Sequence, residues 1–284
     1  MMRRLLLLIT IVFLSRCAAA AEEPADPQDA ARQERLRYMT ELFGEFQLSP
    51  RDEPERALDR TAEPLLRWSN PVRNSFSDGA TFLWLDGERP VAAATMSIRG
   101  NGAAWREFVT LSDQPIRCLR NGQAVWMPDT GSLTDQPLTD APEPASSPPL
   151  RLAQLRRLAR RFTVIMSESE TKPDEIKSLR LLAQPVYRYS DEQAGVVDGA
   201  VFAFCETTDP EALLMIEAFR PSDAAAAEWR FTPARMTSRP LVYRLDDREI
   251  LSLKGYWANP RTLADPFIEV RLGRYEPGGS SNLK

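Results

Sequence analysis

The chain repeats itself, and this constrains its fold more than any other feature, because a pattern used twice has to be buried twice. Pro64-Leu65-Leu66-Arg67-Trp68-Ser69 returns as Pro185-Val186-Tyr187-Arg188-Tyr189-Ser190, and Asp78-Gly79-Ala80-Thr81-Phe82 as Asp198-Gly199-Ala200-Val201-Phe202. Further on, Pro90 returns as Pro210, Trp105-Arg106 as Trp229-Arg230 and Pro115 as Pro240, with separations between 120 and 125 that drift only where loops would change length. Upstream, Leu36-Arg37 and Phe43 match Leu155-Arg156 and Phe162 at a separation of 119, so each unit opens on a helix-like segment, Gln33 to Phe46 in the first.

Within a unit, the part after the helix reads as antiparallel strands. Phe82 and Trp84 alternate along Ala80 to Leu85, and Ile116 to Arg120 meets Ala124 to Trp126 across Asn121-Gly122, a two-residue hairpin signal. Asp246-Asp247 stands at the matching point of the second copy. Asp209 to Phe219 carries a helix start, Asp then Pro, but its partner Val91 to Ile98 favours strand, so the duplication assigns both to strand. A third helix is expected at Asp174 to Gln184, ending before Pro185, and a further strand at Phe267 to Leu272.

The expected fold class is therefore α+β, two duplicated modules each with a helix packed on an antiparallel sheet, paired about a pseudo-twofold axis with a ligand groove at the axis. The modules span residues 22–127 and 151–275. Between them, Pro128 to Leu150 holds six prolines among Asp, Ser and Thr and reads as an exposed, semi-rigid linker. Residues 276–284 read as a disordered tail.

Residues 1–21 have the three parts of a secretory signal peptide: Arg3-Arg4, the apolar run Leu5 to Leu14, then Ala18 to Ala21. Leu14-Ser15-Arg16-Cys17 approximates a lipidation site, but Arg16 stands where a small residue is wanted. Export without a membrane anchor follows, to the periplasm or beyond, since no later run approaches a spanning length. In an oxidising compartment Cys118 and Cys205 either form a disulfide or stay as buried thiols, and the sequence leaves both open.

The chain contains no histidine, which excludes Ser-His and Cys-His nucleophiles and imidazole metal sites. No cofactor fingerprint or metal-ligand spacing is present. The net charge of -4 and dispersed aromatics argue against nucleic acid as a partner. Of 36 basic residues all but four are Arg, the side chain best suited to hold carboxylate, sulfate or phosphate groups.

Four arginines beside aromatics give the candidate ligand-binding set: Arg67, Arg188, Trp105, Arg106, Trp229 and Arg230, with the competing reading that the tryptophans anchor two cores. Arg151, Arg156, Arg157, Arg160 and Arg161 share a helix with an apolar stripe, suited either to an anionic membrane surface or to pairing with Glu34, Glu41 and Glu45 of the first helix. Ser169-Glu170-Thr171-Lys172 satisfies S-x-x-K but lies in a polar stretch before Pro173, and reads as a solvated loop. Carboxylate pairs are the acid/base chemistry left to a histidine-free chain; Glu107 sits on a strand beside Trp105 and Glu217 on a strand of the other copy, neither singled out by a motif.

The Asp-Gly-Ala-x-Phe block, the Thr208-Asp209-Pro210 turn and the Pro-x-x-Arg-[Trp/Tyr]-Ser lead-in resemble a family of exported bacterial proteins with an internally duplicated α+β module. That resemblance implies export and duplication and carries no activity or site residues. The functional expectation is an exported, non-catalytic binding protein of the cell envelope, taking a protein, glycan or small anionic ligand. The alternative is a carboxylate-dependent hydrolase of an extracellular polysaccharide.

Overall fold

In the computed structural model, which describes residues 27–70, 77–129, 135–222, 225–258 and 261–278, the repeated blocks become strands of two similar sheets. The first part of the chain runs α1 (Pro27–Phe43), β1 (Phe46–Pro50), β2 (Asp59–Arg60), β3 (Leu66–Ser69), β4 (Ser77–Asp86), β5 (Arg89–Arg99), β6 (Ala103–Thr110), β7 (Ile116–Arg120), β8 (Gln123–Trp126) and β9 (Gln136–Pro137). The second runs α2 (Pro148–Ala159), β10 (Phe162–Ser169), β11 (Lys172–Ser178), β12 (Arg180–Leu181), β13 (Tyr187–Asp191), β14 (Val196–Glu206), β15 (Asp209–Phe219) and β16 (Glu228–Arg235). It closes with β17 (Leu241–Leu245), β18 (Arg248–Leu253), a 3-10 turn at Tyr256–Ala258 and β19 (Phe267–Arg274).

The fold is mostly β, with two α-helices among the described residues, and this corrects the expectation of α+β modules built as a helix on a sheet. The third helix expected at 174–184 is absent; its residues form β11 and β12, because the strand pairs with β10 through Ile165–Ser178 and Ser167–Ile176 and tertiary pairing overrides local propensity. Each unit has a large sheet with strands β4-β5-β6 or β14-β15-β16 at its centre, and a small sheet holding β1-β7-β8 or β11-β10-β17-β18.

Details recur that no composition argument requires. The β4–β5 ladder shifts register between Trp84 and Leu85, and β14–β15 shifts between Phe204 and Cys205, the same place in both copies. The β7–β8 and β17–β18 hairpins both turn through two residues of positive φ, Asn121-Gly122 and Asp246-Asp247, as a twisted two-residue hairpin demands. Gly79 pairs with Trp68 and Gly199 with Tyr189, and each ring lies so close over its glycine that a Cβ there would overlap it. The repeated Arg-aromatic-Ser and Asp-Gly-Ala blocks are thus two halves of one contact.

The chain exchanges its closing strands between units. β19, which follows the second unit's small sheet, pairs along the first unit's β6 from Phe267–Val109 to Arg274–Ala103. β9, which follows the first unit's small sheet, pairs with the second unit's β16 at Gln136–Phe231 and Pro137–Arg230. The strand exchange therefore crosses the boundaries drawn at 127 and 275, and β9 and the first turn of α2 fall within the expected linker, whose described residues other than Pro128 and Leu138 are exposed or half-buried. Leu138 is buried in the second unit's core with Ala141 packed against it, and the carbonyls of the segment that follows are held by side chains of α2, of β16 and of Arg161 just beyond α2. Arg161 donates to the oxygens of Thr139 and Asp140, Trp229 to that of Pro142, Gln154 to that of Glu143 and Arg151 to those of Ala145 and Ser146.

Both faces of each large sheet are covered. Phe82, Leu83 and Trp84 are all buried, as are Phe202, Ala203 and Phe204. One apolar cluster joins α1 and β4–β6 to Val201, Ala203, Cys205, Leu213 and Met215 of the second unit, and another joins the opposite face of β14–β16 to α2 and β10. The turns interlock reciprocally: Thr208 bonds both backbone polar groups of Ser69, while Arg89 reaches Glu217 with two bonds of 2.8 Å. Glu217 also accepts from Tyr189 at 2.7 Å, and is 2% exposed.

The register corrects two sequence matches. Arg35 and Arg151 hold Asp78 and Asp198 from equivalent helix positions, and Met39, Leu42 and Phe43 are buried where Leu155, Leu158 and Ala159 are. The helices therefore align at a separation of 116 residues, not 119. On β6 and β16 the pairings Ser97–Trp105 and Glu217–Arg230 align Trp105 with Arg230 and Arg106 with Phe231. A one-residue slip of this kind turns each side chain to the opposite face. The expected signal peptide, residues 1–21, lies outside the described residues, as does most of the expected tail beyond Gly278. No helix among the described residues is long and apolar enough to cross a membrane.

Candidate functional site

The six sequence candidates point apart. Arg67 and Arg188 stay within their own units, Arg188 making two bonds to Asp198 of 2.9 and 2.7 Å and Arg67 lying 3.7 Å from Asp78. Arg106, 4% exposed, lies over the rings of Phe46 and Phe108, and its Nε and one terminal nitrogen have no hydrogen-bond partner among the described residues. Burial pulls its pKa down to about 10. Arg230 faces the other way, over Phe219 and bonded to Glu228. Trp229 is a core residue, and Trp105 is half-buried beneath Arg99.

The two cysteines are free and buried, so the disulfide is not formed. Burial pushes both thiols up to about 12, which makes them poor nucleophiles. Ser169 shares a hydrogen bond with Thr171 while Lys172 donates to Glu175, so S-x-x-K sits on a β-hairpin without the contact a Ser nucleophile needs. The expected pairing of the two helices does not occur: Glu45 accepts from Arg120, Glu34 caps the Gly278 amide, and Arg161 binds Asp246.

The structure instead brings together arginines that the sequence did not single out. The β5–β6 turn, the end of β19 and the middle of α1 enclose a cavity of about 400 Å³ lined by Arg35, Arg99 and Arg274, with Asn101 and Glu276 at its edge and Ile98, Tyr275 and Pro277 as apolar wall. The exchanged strand builds this wall. Its last backbone contact, Tyr275 N–H to Gly102 O at 2.8 Å, lays Tyr275 against Tyr38 with ring centroids 4.9 Å apart, and Arg274 folds across Gly102.

The three arginines are differently committed. Arg35 bonds Asp78 at 2.8 Å, and that carboxylate is wholly buried. Arg99 stacks 4.3 Å from the Trp105 ring and reaches Glu269 at 3.5 Å, leaving its side chain 38% exposed. Arg274 is exposed and makes no ion pair among the described residues. A second hollow of similar volume shares Arg35 and adds Arg32, Gln28, Ala31 and Ser69. Among lining side chains of the first cavity, three carry positive charge and one, Glu276, negative.

A third cavity, also about 400 Å³, lies between the β10–β11 turn and the segment after β18, lined by Glu168, Ser169, Glu170, Thr171, Ser238, Arg239 and Trp257 among others. Its two carboxylates are engaged: Glu168 accepts from Arg239 at 2.8 Å and Glu170 from the Gly255 amide at 2.6 Å. Glu107 lies opposite Glu269 across β6 and β19, while Glu217 is held in the interlock between units, so these acids do not meet.

Arg35, Arg99 and Arg274 were missed because each belongs to a different element: Arg35 recurs as Arg151 only at the separation of 116, which the sequence match did not use, and Arg99 and Arg274 stand outside the matched blocks. The available signal was contrast between copies: β5 and β6 turn tightly through Gly100-Asn101-Gly102, whereas residues 220–227 separate the matching strands. Comparison with known proteins finds no matching family model, no similar curated protein and no similar solved structure.

Proposed function

We propose that this chain is an exported binding protein of the cell envelope whose ligand is a small anion held in the arginine-lined cavity of the first unit. The observation that carries the reading is the convergence of Arg35, Arg99 and Arg274 on one cavity of about 400 Å³, facing a single lining carboxylate. Arginine forks suit carboxylate and phosphate oxygens, and a cavity of this size falls within the range of small-molecule sites. Stacking on Trp105 and pairing with Asp78 restrain Arg99 and Arg35, which reduces the side-chain entropy lost on binding. The N-terminal Arg-Arg, apolar, small-residue layout supports export.

The hydrolase alternative has Glu168 and Glu170 beside Trp257 in one groove. One oxygen of each is hydrogen-bonded to the protein, Glu168 by Arg239 and Glu170 by the Gly255 amide.

Calorimetric titration of the purified protein with phosphate, sulfate and small carboxylates tests the binding reading. Binding that weakens at least fivefold in Arg274→Ala, with an unchanged melting temperature, is expected; wild-type affinity in that variant removes the reading. The intact mass of the exported protein tests the address, with cleavage among Ala18 to Ala21 expected and a retained residue 1 or a diacylated Cys17 contradicting it.

A further inference from the structure

Arg35 lines both hollows of the first unit, each of about 400 Å³, and each adds arginines of its own: Arg99 and Arg274 in one, Arg32 in the other. Arg32 and Arg35 are three residues apart on α1, so their side chains leave the same face of the helix. Two of the four arginines are already balanced, Arg35 by Asp78 at 2.8 Å and Arg99 by Glu269 at 3.5 Å. The other two are not. Arg274 is exposed and Arg32 half-buried, neither makes an ion pair among the described residues, and the Nε of Arg32 is buried without a hydrogen-bond partner. Each hollow therefore holds one uncompensated guanidinium, with Arg35 fixed on Asp78 as their common wall. The second unit does not repeat this. Arg151 takes the place of Arg35, but its Nη1 holds the carbonyls of Ala145 and Ser146 at 3.0 and 2.9 Å, and at the separation of 116 Pro148 stands where Arg32 does.

We infer that the ligand is a diacid: two anionic groups on one short chain, the first held by Arg274 and Arg99, the second by Arg32, with the chain passing over Arg35. The inference rests on the anion-binding reading and deepens it by fixing the number of charges. A single anion leaves Arg32 or Arg274 unpaired. Two separate anions pair both, but each loses its own translational freedom, whereas the second group of a diacid meets its arginine at a millimolar effective concentration. The Arg35 side chain is 19% exposed and bonded to Asp78, so it offers the middle of such a ligand a fixed positive surface without swinging into either hollow.

Calorimetric titration of the wild-type protein with the linear dicarboxylates from malonate to suberate, each beside its monomethyl ester, tests this. The tightest-binding dicarboxylate is expected to bind 1:1 and at least tenfold more tightly than its monoester. Arg32→Ala is expected to erase that advantage while leaving the affinity for the monoester within twofold, and Arg32→Lys to keep most of it. Dicarboxylates no tighter than their monoesters, two bound per chain, or an undiminished advantage in Arg32→Ala overturn the inference and leave the anion reading standing; failure of every carboxylate, phosphate and sulfate to bind removes both. Should Arg32→Ala not fold, the wild-type stoichiometry and the ratio of dicarboxylate to monoester affinity decide.

Discussion

Replacing Arg89 with Ala tests how the units are held together. Arg89 leaves the β4–β5 turn and places two nitrogens 2.8 Å from the carboxylate of Glu217, which also takes the Tyr189 hydroxyl at 2.7 Å and is 2% exposed. Burial works against the Arg89 charge, but the hydrogen bonds and negative charge of Glu217 outweigh it and its pKa is raised. Burial, followed by the charge of Glu217, drives the Tyr189 hydroxyl upward as well, so it remains a donor. Removing the guanidinium strands a buried carboxylate, which costs about 3–5 kcal/mol. At roughly 2–4 °C per kcal/mol for a chain of this size, the melting temperature falls by roughly 6–20 °C. Glu217→Gln costs less, about 1–3 kcal/mol, because it removes charge-assisted bonds while Arg89 keeps Asp135 at 3.4 Å. The double variant Arg89→Met with Glu217→Leu recovers most of the loss, since a buried ion pair replaced whole is often close to neutral. Urea unfolding of all four proteins gives the three losses, and the recovery in the double variant shows how much of the Arg89→Ala loss comes from the stranded carboxylate. A loss under about 0.5 kcal/mol for Arg89→Ala, the behaviour of an exposed pair, refutes the reasoning.

Two further outcomes follow from packing and burial. Gly79→Ala pushes a methyl into the Trp68 ring and is expected to cost about 1–3 kcal/mol, with part of the loss recovered by Trp68→Ala in the same chain; additive losses in urea unfolding contradict the contact. Cys118 and Cys205 have thiols raised to about 12 by burial, against roughly 8.5 in an unfolded chain. A raised value in the folded state adds stability below the unfolded pKa that is lost as pH rises, because the unfolded chain releases its protons first. Stability measured by urea should therefore decline from about pH 8.5 upward, with a shallower slope in Cys118→Ala, and an identical slope in that variant counts against it.

What the sequence disclosed was the repeated contact and what it hid was the exchange. Asp78-Gly79-Ala80 and Arg67-Trp68 recur because a ring must cross a glycine on the neighbouring strand, and that local demand leaves identical residues in both copies. The helices were misaligned by three residues because their shared demand is only an apolar stripe, which Met39-Leu42-Phe43 and Leu155-Leu158-Ala159 meet with different side chains. Asp174 to Gln184 has helix-forming residues, yet pairing with β10 decides its conformation. Residues 138–147 look incapable of order, since the groups that order them are side chains of α2 and β16 acting on main-chain carbonyls. Neither β9 nor β19 carries a mark of the sheet it joins. The cavity arises only after that exchange brings Arg274 beside Arg99, so no local pattern announces it.

The exchange itself is tested most directly by dividing the chain. Residues 27–145 and 146–278, prepared separately, each lack the strand that closes their large sheet, and thermal unfolding of either half alone should show no cooperative transition. Mixed in equal amounts, they should form a 1:1 complex that melts cooperatively and protects the β6 amides from hydrogen exchange. A half that unfolds cooperatively as a monomer, with β6 protected in the absence of β19, contradicts the account.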